Sequence, residues 1–374
     1  MKRLLMAMLV AVASTGVGAE ARPVLDCPLR DVSFSTNLPL IDILGSPRAK
    51  AVVDSRAPGL LKGLPPAMFG PVAPSFSAII SLRGLAGFKG KQPDSVAFLD
   101  APLAAVPISA ADRAARCARY DDERLKVTLP SGRPRILLFE KINGFRDAPS
   151  VDAAHAALLS MAQERGWAML ATDKGGAMTT ATLSKFDLVI WNNISGDVLT
   201  LKQRSAFRKY IENGGGFIGL HGSAGDPITF WDWYVDTLIG ARFAGHPIAK
   251  HFQNARVVVE NASLPLTRGL PSEWVMKDEW YSFTNNPRAS GSTILATLDE
   301  NTYDPSGMRG QNLRMGDHPI AWTRCVGRGR VFYSAIGHLP ETYSDPRYKT
   351  LLQNAVDWTA MAREQGCSLA KKKM

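Results

Sequence analysis

The sequence predicts an α/β fold, a parallel sheet with helices on both faces, preceded by a small, mainly helical N-terminal module. Three observations carry this expectation. Continuous apolar runs at residues 136–139, 168–171, 186–193 and 215–221 read as strands buried on both faces. Segments with helical periodicity, at about 151–165 and 202–213, separate them. Residues 22 to about 130 offer instead short apolar pieces rich in Pro, Gly and Ala, with no long strand pattern.

The chain opens with Lys2 and Arg3, an apolar run over residues 4–13, and Ala19-Glu20-Ala21. That order predicts a secretory signal peptide over 1–21 and a periplasmic or secreted product. The run is too short to span a bilayer, and no later window holds 18 uninterrupted apolar residues. With 45% apolar and 21% charged residues, 374 residues supply enough apolar mass for a sizeable core, or for two domains. The formal charge is +10, and residues 1–21 hold two basic side chains and one acidic, leaving +9. The basic residues are scattered, and their one dense run, Lys371 to Lys373, is terminal. Neither a basic stripe nor a stacking aromatic set accompanies the charge, which argues against a nucleic-acid partner. Nothing in the sequence specifies an oligomeric state.

Within 22–130, Leu40, Ile43 and Leu44 fall at helical spacing behind Ser35 and Thr36, with Gly45 as a stop. Ser46 then offers an N-cap and Pro47 a first helical residue, with Ala51 and Val52 on one face. The α/β region is expected over 131–365. Its later strands are shorter ("STILATL", "PIAWTR", "RVFYSAIGH"), a last helix runs over about 346–362, and 366–374 form a basic tail. Four cysteines allow three full pairings. Cys27 with Cys117 and Cys325 with Cys367 keeps each bridge within one half of the chain; four separate buried thiols are the alternative.

In an open parallel sheet the ligand crevice lies beyond the carboxyl ends of the strands. Lys141 follows the first strand, Asn193 and Asp197 follow "LVIW", His221 follows "GGGFIGL", and His338 with Glu341 follows "VFYSAIG". In Gly219-Leu220-His221-Gly222-Ser223 small residues flank a central polar one, the spacing of a sharp strand-to-helix elbow. Five of the six histidines lie between 221 and 338, among them "AGHP" at His246 and "GDHP" at His318. "KDEWYSF" adds Asp278, Glu279 and Tyr281. Imidazole with a neighbouring carboxylate serves proton transfer or metal ligation near neutral pH. The spacings match no zinc signature such as HExxH. His155, in an apolar helix, and His251, after a lysine in a loop, read as surface or locally satisfied residues. Trp231 and Trp233 read as core packing, or as a wall for a sugar ring.

Ordered motifs from about 135 to 362 carry a family likeness: "KINGFR", "WNNISGDVLT", "GGGFIGLHGS", "WDWY", "GARFAGHP", "DEWYSFTNNPR", "ATLDENTY", "GDHPIAW" and "GRVFYSAIGHLPETY". This span resembles the trehalose-utilisation (ThuA-like) family. The resemblance implies the class I glutamine amidotransferase-like fold, a flavodoxin-like parallel sheet between helices, and a link to carbohydrate metabolism. After "GFR" the family usually shows a histidine, and Asp147 stands there instead. True glutamine amidotransferases place a cysteine at the elbow; His221 replaces it, so thioester chemistry on glutamine is not expected. The segment "FSTNLPLIDILGSPRAKAVVDSRAPGLL", with "LDAPLAAVPI", in turn resembles a small helical module appended to secreted carbohydrate-active enzymes.

The expectation is therefore an exported protein acting on a small-molecule carbohydrate. His221, Glu279 and His338 are its expected catalytic groups, and Lys141, Asn193, Asp197, Tyr281, Asp317 and Glu341 its expected substrate contacts. A divalent metal such as zinc, held by His246 and His318 together with His221, is a further expectation. The alternative from another class is a non-catalytic carbohydrate-binding or sensing protein that uses the same crevice.

Overall fold

The computed structural model describes residues 26–229 and 231–367. The expected signal peptide, and the expected tail apart from residues 366 and 367, lie outside the described residues.

The N-terminal part holds α1 (Leu40–Leu44), α2 (Pro47–Arg56), α3 (Leu82–Phe88), α4 (Asp100–Ala104) and α5 (Ala110–Cys117). Ser46 caps α2 through a hydrogen bond from the Ala49 N–H, and Ser109 with Asp112 forms a capping box on α5. Leu40, Ile43, Leu82, Leu85, Leu99 and Leu103 make a core separate from that of the sheet. On α2 the buried residues are Ala49 and Val53, in place of the expected Ala51 and Val52. Cys27 is bonded to Cys117 and Cys325 to Cys367.

The α/β part runs β1 (Arg135–Phe139), α6 (Ala148–Arg165), β2 (Ala168–Thr172), α7 (Thr180–Leu183), β3 (Leu188–Asn192), α8 (Leu201–Glu212) and β4 (Gly216–Leu220). Every residue of β3 and β4 is buried, as continuous apolar runs between two helical layers require. Then follow β5 (Phe243–Gly245), β6 (Phe252–Val259), β7 (Glu273–Glu279), β8 (Ser282–Phe283), β9 (Thr293–Asp299), β10 (Pro319–Val326), β11 (Gly329–Ser334) and α9 (Pro346–Ala360). The nine-stranded sheet has the order β2-β1-β3-β4-β11-β10-β9-β6-β7, and β5 pairs separately with β8.

β2, β1, β3, β4 and β11 are mutually parallel, and β10, β9, β6 and β7 continue the sheet antiparallel. The sequence predicts the parallel half. The antiparallel half follows from connection length: β10 ends at Val326 and β11 begins at Gly329, which leaves room for a hairpin but not for a crossover. Among the described residues no helix is long and apolar enough to cross a membrane.

The two parts are tied by polar contacts. The Ser75 N–H donates to the Asn143 carbonyl at 3.1 Å, and the Tyr120 hydroxyl donates to Asp197 at 2.8 Å. Asp121 accepts from the N–H groups of Gly175 and Gly176.

Candidate functional site

β4 ends in a sharp turn, and His221 takes φ +35° there, a left-handed conformation that non-glycine residues seldom adopt. The turn is held from below. Asn193, itself at φ +51° after β3, accepts a hydrogen bond from the Gly222 N–H, and the Tyr333 hydroxyl donates to the His221 carbonyl. The His221 ring stacks on Tyr281 with centroids 4.2 Å apart.

Four imidazoles converge on one carboxylate. Glu279, at the end of β7, is 2% exposed. Its Oε2 lies 3.1 Å from His221 Nε2 and 2.8 Å from His338 Nδ1. Its Oε1 lies 3.1 Å from His246 Nδ1 and is hydrogen-bonded to His251 Nε2. Strand register brings them together. β6 pairs with β7 so that Phe252 faces Glu279, which sets His251 beside the carboxylate. β5 pairs with β8 so that Gly245 faces Ser282, which carries His246 toward Tyr281.

The turn after β11 places His338. Asp278, fully buried, accepts from the N–H groups of Gly337, His338 and Leu339 and from the Thr342 hydroxyl. Asp147, at the head of α6, has a carboxylate oxygen 3.5 Å from His338 Nε2 and accepts from the Ser150 hydroxyl. The residue that departs from the family pattern thus borders the cluster.

The electrostatics follow from this packing. Burial opposes the charge on Glu279, but hydrogen bonds from His221, His251 and His338 outweigh it and hold the carboxyl well below its usual range. Burial acts against the charge on His338 too, and the Glu279 carboxylate more than offsets it, raising the ring above its ordinary value. For His246 burial prevails over the attraction of Glu279 and lowers the ring. Burial likewise raises the Asp278 carboxyl, against the pull of His221 and its own hydrogen bonds.

His221 Nδ1 lies 2.7 Å from the Ala335 carbonyl, which can only accept, so this nitrogen carries the proton. In a neutral ring Nε2 then bears a lone pair that faces the Glu279 carboxylate at 3.1 Å. Such a spacing is favourable only with a proton or a cation between the two atoms. His221, Glu279 and His338 form one donor set able to hold a metal ion, and His246, His251 and Glu279 a second. Donor atoms each about 2 Å from a tetrahedral ion stand roughly 3.3 Å apart. The spacings within the first set, 2.8 to 3.2 Å, are close to that.

Of the residues expected in one crevice, His221, His246, Glu279, Tyr281 and His338 come together. The others stand elsewhere. Asn193 lies beneath the elbow as a support. His318 is fully enclosed between Glu300, 2.8 Å from its Nδ1, and the Tyr281 carbonyl, 2.8 Å from its Nε2; both nitrogens are taken, and it is not a ligand of this cluster. Lys141 pairs with Asp121, Asp197 with Arg204 and Tyr120, and Asp317 with Arg288. Glu341 is exposed, and the carboxylate that His338 meets is Glu279.

One reading of the sequence misses the cluster. His251 reads as a surface loop residue but touches Glu279; the signal was the alternation of "FQNARVVV" and "EWVMKDE", two strands whose pairing brings it there. His155 is satisfied locally by Glu140, as expected of a helical histidine outside a site.

A mostly parallel sheet with a polar elbow after a central strand and histidines gathered at its carboxyl edge defines the class, an α/β protein whose ionisable groups collect where such sheets offer a crevice. The chain belongs to the ThuA, trehalose utilisation, family, whose model matches residues 135–359. This membership gives the protein a carbohydrate-related role. A ThuA-like protein from Bacteroides uniformis is 27% identical, with a TM-score of 0.53 over 63% of this chain and 95% of its own. Another, from Parabacteroides merdae, is 18% identical, with a TM-score of 0.46 over 64% and 93%. No curated protein matches the chain.

Proposed function

We propose that this is an exported enzyme acting on a sugar or glycoside through a centre that holds one divalent cation, such as zinc, on His221, Glu279 and His338. The observation that carries the reading is the convergence of imidazole nitrogens on the buried Glu279 carboxylate, with His221 Nε2 and His338 Nδ1 3.1 and 2.8 Å from its Oε2. A bound ion of this kind supplies Lewis acidity, polarising a substrate oxygen.

The chain's own residues do the rest. Glu279 and His221, 2% and 3% exposed, are sealed from solvent and suited to holding rather than to meeting substrate. The Ala335 carbonyl fixes the His221 tautomer, as an outer partner does for a ligating histidine. His338 is kept in place by Asp278, which grips its backbone. His246, His251 and Asp147 have partly exposed side chains at the mouth, where they can orient sugar hydroxyls and carry protons. A neutral polyol is the class of ligand that the family description supports.

Glutaminase chemistry has no nucleophile here, because His221 stands at the elbow and all four cysteines are in disulfides. The disulfides, with the basic and apolar start of the sequence, support export to an oxidising compartment.

Metal analysis of the purified protein, with turnover assays on trehalose, other glycosides and their oxidised keto forms, tests the reading. About one zinc-class ion per chain is expected. His221→Ala and Glu279→Ala should each lower turnover about 100-fold or more while the melting temperature moves by only a few degrees. A metal-free, fully active preparation overturns the metal centre. Tight sugar binding with no product from any of these substrates overturns the enzyme in favour of a binding protein.

A further inference from the structure

Away from the histidines, a pocket of about 470 Å³ opens between the helical module and the sheet. This lies in the size range of small-molecule sites, which favour boundaries between structural units. The module contributes Asn37 and Ser81 to its lining, and the α/β part contributes the rest. Trp231 and Phe243 supply apolar ring surface.

Its charges are balanced within the protein. Arg204 pairs with Asp197 at 2.5 Å, and Arg242 with Asp232 and Asp236 at 2.8 and 2.5 Å. Asp226 accepts from the Ser195 hydroxyl and the Gly196 N–H, each at 2.6 Å, while burial prevails over these bonds and pushes its carboxyl up to about 7. A wall of paired charges and hydroxyls beside aromatic rings suits an uncharged, many-hydroxyl ligand better than an anion or a cation.

A second observation points to an occupant. Trp191 lines the pocket, is 4% exposed, and has an indole N–H that nothing among the described residues accepts. A buried donor left unmatched is unfavourable, and a polar atom that reached it on occupation of the pocket would relieve it. Phe243 separates this pocket from the histidine cluster. Its ring meets Tyr281 edge-on at 4.7 Å, and Tyr281 in turn stacks on His221.

We propose that this pocket is a second saccharide-binding site, taking one or two neutral pyranose rings between the helical module and the sheet. The inference rests on the carbohydrate reading for its class of ligand and on the pocket for its place.

Calorimetry and tryptophan fluorescence with glucose and with trehalose, on the full chain, test it. Trp231→Ala, and Asn37→Trp, an exposed position whose larger side chain fills the pocket from the module side, should each weaken sugar binding about 10-fold or more. Both should keep the wild-type metal content, and His221→Ala should keep the sugar-induced fluorescence change. The proposal is overturned if the wild type binds neither sugar, if both pocket variants bind as the wild type does, or if binding is lost in His221→Ala and kept in the pocket variants. Metal content and turnover of the wild type report separately on the histidine centre, so either reading can fail alone.

Discussion

At the scale of single residues, a buried imidazole is defined by what each of its nitrogens faces. His318 and His221 read alike in sequence, and their surroundings differ. His318 is held between the Glu300 carboxylate and the Tyr281 carbonyl, apart from the other rings, whereas His221 Nε2 faces a carboxylate that it shares with His338, His246 and His251. The partner of His318, Glu300, also accepts from the N–H groups of Met315 and Gly316. Burial disfavours its charge, but these bonds prevail and bring the carboxyl from 4.5 down to about 2. A carboxyl lowered on folding stabilises the protein above its unfolded value, and that contribution fades as pH falls from about 4.5 toward 2. Glu300→Gln should therefore cost about 1–2 kcal/mol at pH 7, after allowance for solvent screening. Its deficit against the wild type should shrink through that acid window. Urea melts at several pH values check this, and a deficit that does not change with pH would mean that Glu300 acts through packing alone.

At the scale of elements, the parallel half of the sheet was legible because β3 and β4 are unbroken apolar runs with helices between them. The elbow was legible from the small residues around His221. The arrival of His251 at Glu279 was not, because it depends on the pairing of β6 with β7, strands separate in sequence. In β7 the exposed Val275 and the buried Asp278 also run against a simple reading of apolar-in, polar-out. The turn after β11 is a third element of the site, and glycine is required in it. Gly337 has φ +135°, and a Cβ there would stand 2.5 Å from the Tyr343 hydroxyl oxygen. That hydroxyl donates to the Gly337 carbonyl and accepts from Asn193, so it cannot yield without loosening the elbow. Gly337→Ala should cost about 2–4 kcal/mol. Gly291, at φ +82° with nothing near its missing Cβ, is the control, and Gly291→Ala should cost about 1 kcal/mol. Equal melting temperatures for the two variants would show that the turn is slack and that His338 is placed by other contacts.

At the scale of the whole molecule, a large hydrophobic core under the sheet is accompanied, among the described residues, by a smaller one in the helical module and a small cluster of Cys27, Cys117 and Tyr120. A core of short helices gives modest stability alone, and such units usually depend on a covalent staple. Here the staple is Cys27–Cys117, which closes a loop of 90 residues around nearly the whole module and packs with Tyr120. Tyr120 also donates to Asp197, and its neighbour Arg119 forms a buried pair with Asp42 at 2.6 Å, so one short segment links the staple, the module and the sheet. Constraining a loop of that length in the unfolded chain stabilises by about 3–5 kcal/mol. Replacing both cysteines with serine should therefore split unfolding into two steps, the module first and the sheet later. Limited proteolysis should then cut within residues 26–120 before it touches the α/β part. Because Asn37 and Ser81 line the pocket from the module side, sugar binding there should fail at the first step, while metal held by His221, Glu279 and His338 should persist until the second. A single transition at the wild-type midpoint would mean that the module is held by its contacts with the sheet and not by the disulfide.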